Sequence, residues 1–159
     1  MSYIVDFIIV LLFVALTGVF ILRLRYNLLA LWKEVSVKDV IFHKLLLETT
    51  ILFHESKPDL ISPENKKFLR RLSKYKRKKL RYIMLTERQN LFLILNKIYN
   101  ELEELEDERL SGAILKFEEL QKARRIYNSK VLIYNQRISL FPSRFLAMKM
   151  GLHIKEYFG

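Results

Sequence analysis

The sequence predicts an all-α protein: an N-terminal transmembrane helix followed by an antiparallel up-down-up-down four-helix bundle. Three observations carry this expectation. Aliphatic and aromatic residues make up 51% of the 159 residues, punctuated by only four Gly and three Pro, which suits a few long helices better than many short strands. The run from Phe7 to Leu22 is apolar and uncharged. Beyond it, hydrophobic residues recur at mostly three-four spacing as far as Phe141. The expected organisation is a transmembrane anchor over 1–22, a helical bundle with coiled-coil-like seams over 23–142, and an apolar, basic tail over 143–159.

Thirteen of the sixteen residues from Phe7 to Leu22 are Phe, Ile, Val or Leu, interrupted by Ala15, Thr17 and Gly18. At about −0.3 to −0.6 kcal/mol each, they favour insertion by roughly 4 to 8 kcal/mol. Extending the span to Tyr3 brings it near 30 Å, the thickness of the hydrocarbon core, and leaves Asp6 hydrated at the interface. A cleaved signal peptide is the competing reading of so short a run. The flanks oppose it, because no Lys or Arg precedes the run whereas Arg23 and Arg25 follow at once, with Lys33 and Lys38 nearby. Positive-inside asymmetry then puts the N-terminus outside and the C-terminal domain in the cytoplasm.

After the span, Leu24, Leu28, Leu31, Val35, Phe42, Leu45 and Leu52 continue one seam, predicting a helix to about Ser56. Ser36-x-x-Asp39 could restart it, but the periodicity carries through. Pro58 to Pro63 reads as a turn, with Ser62 as N-cap and Pro63 as first helical residue of a second helix reaching about Leu85. Thr86-Glu87-Arg88-Gln89 offers a capping box for a third helix, with Leu91, Leu95, Ile98, Leu102 and Leu105 as its seam. The phase changes at Leu110, and a turn is expected within 106–112, beside Ser111-Gly112. A fourth helix then carries Ala113, Phe117, Leu120, Tyr127, Val131, Tyr134, Ile138 and Phe141 until Pro142 ends it.

Of the net charge of +11, ten positive charges fall between residues 66 and 81 with no acid among them. Lys66, Lys67, Arg70, Arg71, Lys74, Arg77, Lys78 and Arg81 share one arc of the second predicted helix, opposite Phe68, Leu69, Leu72, Tyr75, Leu80 and Ile83. Like charges at i,i+4 repel, so the arc calls for compensation. Glu101, Glu103, Glu104, Glu106, Asp107 and Glu108 would approach the start of that helix in an antiparallel bundle. Anionic lipid is a second compensator, although an upright bundle holds the arc beyond a Debye length of about 8 Å from the bilayer. A polyanion or nucleic acid is a third, supported by no recognition motif. An ordinary solvated face is the bland alternative.

Catalytic chemistry finds little support. There is no cysteine, which excludes disulfide and thiolate chemistry. His43, His54 and His153 lack metal-ligand spacing, and His54-Glu55 lacks the second His of a zinc helix. No metal, cofactor or nucleophile-base pair is expected, and the three histidines read as surface or interhelical residues. The tail from Arg144 to Phe158 is expected either to dock against the bundle or to lie at the membrane interface.

The chain's most specific signature is a doubled Tyr-Asn motif: Ala123-Arg124, Tyr127-Asn128, Val131, Tyr134-Asn135, Ile138 and Phe141-Pro142. Tyr127, Tyr134 and Phe141 share a helical face with Val131 and Ile138, with Asn128 and Asn135 at its edge. Such a stripe reads as core, its Tyr hydroxyls and Asn amides reaching polar partners at the seam. The pattern, with the aromatic pair Tyr157-Phe158, resembles the LemA family of bacterial membrane-anchored helical proteins over residues 123–158. Leu46-Leu47-Glu48-Thr49 and His54-Glu55 are weaker echoes, and the absence of an Arg-Arg pair and a Pro-containing tract usual there marks a divergent member. The resemblance implies a single-pass protein of a bacterial cell membrane or internal membrane and no catalytic activity.

The resulting expectation is a non-enzymatic, single-pass membrane protein presenting a basic helical bundle as an interaction or membrane-organising scaffold. A membrane-tethered polyanion or nucleic-acid binder is the alternative. The partners expected are the membrane, with anionic lipid or an acidic protein, and self-association is compatible with the sequence.

Overall fold

The computed structural model describes residues 2–56, 62, 63, 66, 67, 70, 84–104 and 111–159. Among them the chain is all-α, with helices α1 (Ser2–Ser56), α2 (Leu85–Glu104), α3 (Ser111–Ser139) and α4 (Ser143–Lys149) and no strand. The expected span and first helix are therefore one uninterrupted α1, and Ser36 restarts nothing. Ser62 is non-helical and Pro63 helical, with the Lys66 amide donating to the Ser62 carbonyl at 3.0 Å. Most of the second predicted helix, and residues 106–110 of the turn expected within 106–112, lie outside the described residues.

Two boundaries differ from expectation. α2 begins at Leu85, because the Met84 carbonyl already accepts the first helical bond from the Arg88 amide at 3.1 Å, placing Thr86 inside the first turn. Ser111 and Gly112 belong to α3 and not to a turn. A Cβ on Gly112 would meet nothing within 4 Å, so the helix that carries Ala113 and Phe117 extends through it unhindered.

The chain forms two compact units, Met1–Val35 with Lys130–Glu156 and Ser36–Ser129 with Tyr157–Gly159. In the first, every residue from Tyr3 to Leu22 except Gly18 is exposed. The Thr17 hydroxyl is satisfied by the Phe13 carbonyl at 2.8 Å. Past the span, Leu28, Val35, Val131, Tyr134, Ile138 and Ala147 are buried, and Lys130 of α3 pairs with Glu34 of α1 at 2.7 Å. α3 stops at Ser139 because Pro142 lacks an N–H and disfavours helical geometry at Phe141; the Phe141–Pro142 bond is cis. α4 ends in a left-handed Gly151 with φ 66°. The Leu152 amide there donates to the Ala147 carbonyl at 2.9 Å and the Gly151 amide to that of Met148 at 3.2 Å. This is the hydrogen-bond pair of a Schellman terminus, and it needs glycine because positive φ forces Cβ toward backbone oxygen.

The second unit is built on rings. Phe117 of α3 lies 5.9 Å from Phe53, 5.7 Å from Phe92 and 4.7 Å from Tyr99. Phe42 lies 4.5 Å from Phe158 and 6.0 Å from Tyr127, and Phe92 meets Phe158 at 5.8 Å. The series joins α1, α2, α3 and the C-terminal segment. Leu91, Leu95, Ile98 and Leu102 of α2, and Leu46 of α1, complete the core. Thr49 and Thr50 are buried among them without penalty, since their hydroxyls donate to the Leu45 and Leu46 carbonyls at 2.8 and 2.7 Å. At the surface, Lys116 meets Glu48 at 3.0 Å and Glu119 at 2.9 Å; hydrogen bonding to Glu119 and Glu48 raises the Lys116 pKa, and that to Lys116 lowers the Glu48 pKa.

Phe141 corrects the expected face. It is 81% exposed, because the helix ends two residues earlier and the heptad face does not continue into the turn. Phe117→Ala should therefore destabilise the protein by about 3–5 kcal/mol, and Phe141→Ala by less than about 0.5 kcal/mol. Thermal and denaturant unfolding of the full chain in detergent would compare the two, and equal effects would contradict the assignment.

Candidate functional site

The Tyr-Asn stripe lies on α3, where positions 127, 131, 134 and 138 advance by four, three and four residues and so stay on one face. Tyr127, Val131, Tyr134 and Ile138 are buried, with Tyr134 fully so. The two asparagines flank this face and each grips one residue of the C-terminal segment by its main chain. In the first unit, Asn135 Nδ2 donates to the Lys155 carbonyl at 2.8 Å, and the Lys155 amide donates to Asn135 Oδ1 at 2.9 Å. In the second unit, Asn128 Nδ2 donates to the Phe158 carbonyl at 2.8 Å, and the Phe158 amide donates to Asn128 Oδ1 at 2.9 Å. A carboxamide offers one donor and one acceptor side by side, which matches the N–H and C=O of a single extended residue.

Tyr134 adds a bond from its hydroxyl to the His153 carbonyl at 3.0 Å, and burial raises its pKa. All of these bonds go to main chain, so they hold an extended segment without reading its side chains. Selectivity comes from Phe158, which is 1% exposed against Phe42 and Phe92.

The remaining motif positions serve the same core. Ala123 is half-buried, and Arg124 lies over the Phe92 ring at 4.7 Å with its Nε buried and unbonded, which is the geometry of a cation–π contact. Pro142 is half-buried before α4. Of the basic arc, Lys66, Lys67 and Arg70 are exposed helical positions, while Arg71, Lys74, Arg77, Lys78 and Arg81 lie outside the described residues. From the acidic cluster, Glu101 accepts hydrogen bonds from the Ser62 amide and, at 3.2 Å, from the Ser62 hydroxyl.

His43 sits between helices. Its Nε2 pairs with Arg88 Nη1 and its Nδ1 lies 2.7 Å from the Asp39 carbonyl, so the ring is the neutral Nδ1–H tautomer, accepting from arginine and donating to the carbonyl. Burial lowers its pKa and the Arg88 charge lowers it further, against opposition from Asp39. Among the described residues no group of three or more His, Cys, Asp or Glu could hold a metal.

Sequence reasoning placed the asparagines at the seam edge and missed what they hold. The available signal was the match between two Asn seven apart and a terminal aromatic segment of suitable length. Thr49 fills a position of the α1 seam and is buried as that placement implies, whereas Thr50 and Phe53 were passed over; their burial follows from a broader apolar face on α1 than a single seam supplies.

Two outcomes follow. Asn128→Ala should cost about 1–3 kcal/mol and accelerate hydrogen exchange at the Phe158 amide, with Asn135→Ala acting likewise on Lys155. Asn128→Asp should fail as Ala does, since a carboxylate can accept from the amide but cannot donate to the carbonyl; unaltered exchange would refute the clip. For His43, a folded-state pKa below the unfolded value means that stability is complete above about pH 6.5 and falls as pH drops through the folded pKa. The melting temperature should decline over that window, and His43→Gln should remove part of the decline.

Comparison with known proteins agrees with the position of these features. No curated protein and no solved structure matches the chain. Residues 84–159, just under half of it, match the model of the LemA family. That segment begins upstream of the Tyr-Asn motif and takes in α2, α3, both asparagine clips and the Phe158 anchor, whereas the echoes at 46–49 and 54–55 fall outside it. Over residues 84–159, the chain is thus similar to the LemA family.

Proposed function

We propose that the protein is a non-enzymatic, single-pass membrane protein that presents its helical domain to the cytoplasm as an interaction or membrane-organising scaffold. One observation carries the reading. Over eighteen residues near the N-terminus of α1 the mean hydropathy reaches 2.9 and none of the window is buried, and a helix apolar on every side and covered by no protein supports a membrane-spanning reading. Arg23 and Arg25 directly after Leu22 support a cytoplasmic location for the residues that follow. The similarity of residues 84–159 to the LemA family supports the same location.

The stripe supports a structural role. Asn128, Asn135 and the Tyr134 hydroxyl are engaged by the chain's own backbone, which leaves them to organise the domain and not to bind a substrate. The scaffold's partners are the bilayer itself and an acidic surface, lipid or protein, that complements a net charge of +11.

Protease added outside intact bacterial cells should spare the domain after Leu22, as it spares a cytoplasmic control. Digestion of that domain while the control survives would reverse the orientation. Extraction of the protein by carbonate without detergent would remove the membrane anchor from the proposal.

A further inference from the structure

Within the first unit, α4 meets α1 just beyond the span. Arg25 and Leu29 of α1, together with Leu146 and Lys149 of α4 and the capping residue Met150, line an open crevice of about 380 Å³. Arg25 follows Leu22 by three residues, about 4.5 Å along a helix, so the crevice lies where the chain passes from hydrocarbon to headgroups. Among the described residues no ion pair engages Arg25 or Lys149. The adjoining surface is apolar and exposed: Leu140 at 59%, Phe141 at 81%, Phe145 at 65% and Met148 at 69%. Aromatic and thioether side chains beside cations, at the foot of a span, have the composition of an interfacial segment.

We propose that this crevice holds the headgroup of an anionic phospholipid from the membrane that α1 crosses. Arg25 and Lys149 take the phosphate, and Leu29, Leu146 and Met150 take the glycerol and first acyl methylenes. Phe141, Phe145 and Met148 enter the interface beside it. A soluble phosphate would meet the same cations but leave the apolar wall in water, so the occupant is a lipid. The inference rests on the membrane reading above.

The full-length chain in nanodiscs tests it, with Trp32, the single tryptophan, changed to Phe and a reporter introduced by Phe145→Trp or, independently, Met148→Trp. A brominated phosphatidylglycerol and a brominated phosphatidylcholine are compared as quenchers at equal low mole fraction. Two cations should enrich the anionic lipid at the crevice on the order of 30-fold, so it should quench both reporters more strongly. Arg25→Gln with Lys149→Gln should abolish the difference, and Arg25→Lys should retain it. Equal quenching by the two lipids overturns the inference, as does loss of the difference in inorganic phosphate but not in chloride of equal ionic strength. A separate Phe13→Trp reporter should be quenched by both lipids; if it is quenched by neither, the membrane reading itself falls.

Discussion

The second unit depends on a continuous series of rings. Phe53, Tyr99, Phe117, Phe92, Phe158, Phe42 and Tyr127 each touch the next or a common neighbour, and they come from three helices and the C-terminal segment. Edge-to-face and offset contacts of this kind add to the area they bury. Removing Phe117, Phe92, Phe158 or Phe42 would deprive rings on two other elements of a partner. The buried Leu46, Leu91, Leu95, Ile98 and Leu102 add to this association, whereas the surface ion pairs around Lys116 are partly exposed and contribute little.

Burying Phe158 creates a polar problem that the same helix solves. An extended residue brings an amide and a carbonyl into the protein, and each costs free energy if left unbonded. Asn128 satisfies both with one side chain. Asn135 does the same for Lys155 in the first unit. Asparagine suits this role better than its relatives: Asp lacks the donor, and Gln reaches farther with an additional rotatable bond to restrain. The doubled Tyr-Asn motif is thus one device repeated, with tyrosine filling the core and asparagine supplying the edge of a peptide.

The first unit follows a different economy. Its apolar residues from Tyr3 to Leu22 are exposed apart from Gly18, and the Thr17 hydroxyl is returned to the backbone of its own helix. Beyond the span, Pro142 and Gly151 bracket α4 by opposite means, one lacking a donor and the other tolerating a positive φ. That punctuation places Leu146, Lys149 and Met150 beside Arg25 and Leu29.

Local patterns were legible in the residues themselves. The extent of α1 to Ser56, the α2 seam at Leu91, Leu95, Ile98 and Leu102, the stop before Pro142 and the burial of Tyr127 and Tyr134 all follow from periodicity and backbone chemistry. Contacts distant in sequence were not. Nothing in a three-four pattern reveals that Asn128 bonds the backbone of Phe158, that Arg124 covers Phe92, or that Phe141 turns outward once its helix has ended. Helical periodicity is set within a few residues, so sequence alone determines which faces are apolar and where helices stop. The partner of a main-chain hydrogen bond or of a ring depends on which segments meet, and that was decided only by the tertiary structure.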